Sequence, residues 1–78
     1  MEKLIEISNK AVADYGFRQI VQWSPEDIVA QWQLSTHEAE VLTGVVKDEL
    51  DRLPIPVEPP EVPQEQERVA GIIRQALG

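Results

Sequence analysis

The chain has 78 residues, no cysteine, one histidine and a formal net charge of −7. A chain of this length makes one small domain with a thin core, burying roughly 60% of the surface it exposes when unfolded. A disulfide or thiolate-metal framework is excluded. With ten acidic against five basic residues in 1–53, and four against two in 54–78, there is no basic block to attract nucleic acid or an anionic membrane.

Four helices are predicted before Leu53. The first covers about 2–13, where Leu4, Ile7 and Ala11, with Ile5 and Val12 alongside, recur at helical spacing. Gly16 is expected to interrupt it. A short second helix over about 15–22 carries Phe17, Ile20 and Val21 on one side, and Trp23 ends it. The third start is the clearest: Ser24 as cap, Pro25 at the first helical position, Glu26 and Asp27 at the positive end of the dipole. Ile28, Val29 and Trp32 then face inward, and Gln33-Leu34 leaves room only for a tight corner. Ser35 caps again, with Glu38 completing a capping box. The fourth helix runs about 36–52 with Ala39, Leu42, Val45, Val46, Leu50 and Leu53 as its apolar stripe, and Pro54 stops it.

Five of the six prolines fall in PIPVEPPEVP, residues 54–63. Proline fixes φ and disfavours helix in the residue before it. The stretch is expected to be extended, reaching ~30 Å at the polyproline II rise, as a spacer or as a strap across the domain. Beyond it, Val69, Ile72, Ile73, Ala76 and Leu77 match the amphipathic template without a gap. An isolated helix this short is marginal in water, so it needs a surface: its own domain, a second copy in a homodimer, or a partner.

The constellations that carry chemistry are sparse. Ser24 and Ser35 sit at cap positions, where backbone N–H groups occupy their hydroxyls. His37 falls in an exposed first turn near Glu38 and Glu40, and one histidine does not make an ordinary zinc site. There is no Gly-rich phosphate loop. Neither a catalytic residue, a metal nor a cofactor is expected. DIVAQWQLSTHEAEVL has the rhythm of a helix-turn-helix, but Gln33 stands where glycine is common. Its second helix offers Glu38, Glu40, Asp48, Glu49 and Asp51 against Lys47 and Arg52. Base-reading helices need the opposite chemistry. No apolar stretch approaches the ~20 residues of a membrane span, and MEKLIEISNK lacks the features of a signal peptide. The expected location is the cytoplasm.

Residues 14–44, DYGFRQIVQWSPEDIVAQWQLSTHEAEVLTG, resemble the small all-helical subunit of LigAB-type extradiol ring-cleaving dioxygenases. The matching pattern is Phe17-Arg18, an apolar helix, Pro25-Glu26, Trp32, then Leu34-Ser35 and Glu38 before AEVL. The segment is also similar to leader domains of the nitrile-hydratase-like clan and to the recognition domain of split borosin precursors. These resemblances imply a domain that docks on an enzyme: a large metal-binding subunit, or a methyltransferase acting on a C-terminal core peptide. The chain departs from the precursor pattern in having no Ser, Thr or Cys after Thr43 and no Gly-Gly cleavage site after residue 44.

The expectation is therefore an all-α protein. It comprises a bundle of four short helices (1–53), a Pro-rich extended spacer (54–63) and a C-terminal amphipathic helix (64–78). Its role is non-catalytic: a precursor-like recognition domain or accessory subunit that binds a protein partner. The alternatives are a small dioxygenase subunit or an acidic helix-turn-helix-like regulator. Candidate contact residues are Trp23, Trp32, Val69, Ile72, Ile73 and Leu77.

Overall fold

In the computed structural model, which describes residues 2–78, every regular element is helical. Helix α1, Glu2–Ala13, turns Leu4, Ile7 and Ala11 fully inward, as their spacing requires. It stops at Asp14, not at Gly16. Asp14 is extended, and its side chain accepts the Phe17 N–H at 3.3 Å. That bond satisfies one orphan donor of α2, Tyr15–Trp23. Gly16 lies inside α2.

Ser24 separates α2 from α3, Pro25–Trp32. Its hydroxyl makes no cap bond, contrary to expectation. Its backbone serves both helices instead: the N–H donates to the Ile20 carbonyl at 2.8 Å, and the carbonyl accepts the Asp27 N–H at 3.1 Å. Pro25 supplies the preset φ that starts α3. Gln33 closes α3 in the left-handed region, φ 53°, a conformation uncommon outside glycine. This lets the Leu34 N–H reach the Val29 carbonyl at 3.1 Å.

The second start forms as predicted. Ser35 Oγ accepts the Glu38 N–H at 3.1 Å, and the Ser35 N–H donates to Glu38 Oε1 at 2.8 Å. Helix α4, Thr36–Val41, then widens into a π segment, Leu42–Val46, and continues as α5, Lys47–Asp51. The Lys47 N–H reaches back five residues to the Leu42 carbonyl. Thr43 Oγ1 donates to the Ala39 carbonyl at 2.9 Å, a back-bond that loosens helices. Leu42, Val46 and Leu50 are buried, while Val45, expected in the stripe, is 37% exposed.

The proline-rich stretch is shorter than predicted and is not a free spacer. Leu53 and Val57 are buried in the core, pinning it as a strap. Pro59–Glu61 already form a 3-10 turn, and α6 begins at Val62 and runs to Leu77. A proline in the first turn costs a helix nothing, so Pro63 is accommodated there.

Helix α6 packs chiefly along α1. Val69 and Ile73 join Leu4, Ile7, Val21, Ile28, Leu42 and Leu50 in one core. Each such side chain contributes roughly 1.5–3 kcal/mol by leaving water. Gln66 Nε2 donates to the Asn9 carbonyl at 2.9 Å. Arg68 pairs with Glu49 of α5, and Glu49 also holds Arg52 at 3.1 Å. The bundle and the tail are thus one packed unit.

Candidate functional site

The six candidate contact residues separate into two groups. Val69 and Ile73 are 0% exposed and face α1, so they are closed to a partner or a second copy. Ile72 and Leu77 are half-buried, with Leu77 packed against the core. Trp32 is likewise half-buried against the core. Trp23 alone projects, 77% exposed.

Helix α2 explains this exposure. Arg18 and Val21 take its inner face. Ile20 and Trp23, three residues apart, then fall on its outer side and lie beside each other. Ile20 was expected to face inward with Phe17 and Val21, yet it is 45% exposed. The inward position is filled by Arg18, which is 1% exposed. Nothing in the local pattern marks Ile20 as external except that an arginine two residues earlier takes the core.

Ile20 opens onto a groove of 560 Å³ between α2 and α3. Phe17, Ile20 and Ile28 supply apolar wall, and Lys10, Asp27 and Gln31 line it with polar groups. The Lys10 ammonium lies over the Phe17 ring at 4.6 Å. On the other side of Trp23, Lys47 Nζ sits 5.8 Å from the ring centroid and pairs with Asp51 at 2.9 Å. Gln22 Nε2 donates to Asp51 Oδ1 at 2.9 Å. The exposed indole is therefore framed by fixed polar contacts.

Arg18 is the unusual buried group. Its Nη2 donates to the Pro54 carbonyl at 2.8 Å, and its Cζ lies 4.6 Å from the Tyr15 ring centroid. Nε and Nη1 are buried with no hydrogen-bond partner among the described residues. Loss of hydration holds its pKa below the ordinary arginine value, although nearby Tyr15 acts in the other direction. The arginine fastens the strap to α2. The sequence shows the Phe17-Arg18 pair but carries no signal that the cation is buried.

His37 lies exposed with Nδ1 at 4.0 Å from Glu40. The first contact of Glu38 is structural: the Ser35 backbone N–H holds its carboxyl below the usual carboxylate range. Among the described residues no cluster of His, Asp and Glu is arranged to hold a metal ion. No helix among them is long and apolar enough to cross a membrane. What this surface offers chemically is contact: an indole, an isoleucine and a groove. No protein-family model, curated protein or solved structure matches the chain.

Proposed function

We propose that this protein is a non-catalytic helical binding module, an accessory domain that docks on an enzyme. The observation that carries the reading is the placement of Trp23 and Ile20. The core is complete without them, yet two large apolar side chains lie exposed on an acidic domain, and Ile20 lines a groove. Tryptophan is among the residues enriched at the energetic centres of protein interfaces.

An accessory subunit is the better-supported version. A precursor presenting 64–78 to a methyltransferase would have to lift α6 from α1, exposing Val69 and Ile73 at roughly 1.5–3 kcal/mol each. Co-expression with enzymes encoded beside the gene, followed by size-exclusion chromatography and intact-mass measurement, tests the proposal. The expected result is a stoichiometric complex in which the chain keeps its unmodified mass. Added methyl groups would restore the precursor version. Turnover of a small substrate by the purified chain alone would overturn the proposal.

A further inference from the structure

We infer that the outer side of α2, together with the groove it forms with α3, receives a cationic amphipathic helix from the partner protein. The inference rests on the docking role proposed above and supplies the chemistry of its partner.

Geometry provides the first argument. Helix-in-groove recognition uses a row of apolar anchors at helical spacing. Phe17, Ile20 and Trp23 repeat every three residues along α2, passing from half-buried to mostly exposed. From α3 the exposed lining is Asp27, Ala30 and Gln31, with Ile28 closing the floor from the core. Helix α3 has eight residues, which at 1.5 Å per residue gives about 12 Å of groove. That length matches about two turns of a docked helix.

Charge selects the occupant. Asp27 and Lys10 line the groove itself, with Glu26 next to Asp27 in the first turn of α3; Asp14 and Asp51 flank α2 through their bonds to Phe17 and Gln22, and Lys47 lies over Trp23. Lys47 is already paired with Asp51, and Lys10 is held over Phe17. Asp14 is committed to capping α2. Glu26 and Asp27 remain without an ion pair among the described residues, in the exposed first turn of α3. A second copy would bring a further −7 charge and place Glu26 and Asp27 against their own kind. A helix with lysine or arginine beside its apolar stripe is attracted to the same rim. The face of Trp23 already accommodates one ammonium group, as an indole does.

The probe is a synthetic 14-residue helix with leucine at the i, i+3, i+4 and i+7 positions and lysine elsewhere; its counterpart carries glutamate in place of lysine. Each is titrated into the 15N-labelled full chain. The lysine peptide is expected to shift amide signals of residues 17–31 and the Trp23 emission, whereas the glutamate peptide leaves both unchanged. Ile20→Ala and Trp23→Ala should each weaken binding about tenfold with the melting temperature unaltered. The pair Glu26→Gln and Asp27→Asn should weaken it severalfold and flatten its salt dependence. Equal binding of both peptides, shifts confined to another face, or no binding at all would overturn the inference. Self-association that Trp23→Ala abolishes would overturn it in favour of a second copy. An enzyme complex that survives Ile20→Ala and Trp23→Ala keeps the docking role and removes this surface. Failure of the unmodified chain to form any complex removes the role itself.

Discussion

Arg18 and Pro54 lie 36 residues apart in sequence and are joined by a single 2.8 Å hydrogen bond, from a guanidinium that is almost completely buried. Two of its nitrogens have no partner among the described residues, and a buried cation without a carboxylate is costly. Pro54 itself is an exposed residue. Arg18→Met should therefore preserve the packing, relieve the desolvation and raise stability by roughly 1 kcal/mol. Arg18→Ala should lower it by about 2–5 kcal/mol through the lost volume. Urea unfolding of the two variants checks the opposite signs. If Arg18→Met is the more damaging, the charge itself is holding the strap.

The two serine starts should respond differently. Ser35→Ala removes the acceptor of the Glu38 N–H and should cost about 1 kcal/mol. Ser24→Ala removes a hydroxyl that makes no cap bond and should stay within about 0.5 kcal/mol. Thermal melts of both proteins decide this.

Acid should weaken the same cap. The folded Glu38 carboxyl titrates below its ordinary value, so the folded state favours the ionised form. This contribution is fully present above the unfolded value, ~4.3, and is lost as the pH falls through the lower folded one. Glu38→Gln should destabilise the protein at neutral pH. The gap from the parent should narrow as both are taken down in acid, as followed by circular dichroism.

Helix α6 should be indispensable to the fold. Ile73→Ala leaves a hole beside α1 and should cost roughly 2–5 kcal/mol, a large share of the stability of a domain this small. A fragment ending at Leu53 should lose cooperative melting, because Leu4 and Ile7 would face water. A 1–53 fragment that melts as sharply as the whole chain would show that the four-helix portion is self-sufficient.

The two indoles should be distinguishable by light. Trp23→Phe leaves only half-buried Trp32, so emission should move to shorter wavelength and acrylamide quenching should fall. Trp32→Phe should do the reverse. The stability cost should fall on Trp32, since Trp23 is largely in solvent.

Legibility followed range. The capping box of Ser35 and Glu38 spans four residues and was written in full. The spacing of Leu4, Ile7 and Ala11 fixed the face of α1 because an undistorted helix has one period. Val45 was misplaced because Leu42–Val46 departs from that period. Ile20 was misplaced because Arg18, whose charge reads as a surface group, occupies the core. Five prolines announced an extended segment. Its closure brings Val57 to the core and the Pro54 carbonyl to Arg18, both long-range contacts that no local pattern encodes. The anchors on α2 became visible only once the inner positions of that helix had been filled.

The widened turn at Leu42–Val46 gives the rod that runs from α4 to α5 an unusual tolerance. A ring closed five residues back holds one residue more than an ordinary helical turn. That surplus is what keeps Leu42 and Leu50 on the same side despite the departure from period. Excising Val45, which points partly into solvent, would let the coil tighten to its standard gauge with both leucines still in alignment. A shortening that would rotate everything downstream elsewhere in the rod is absorbed at this one place.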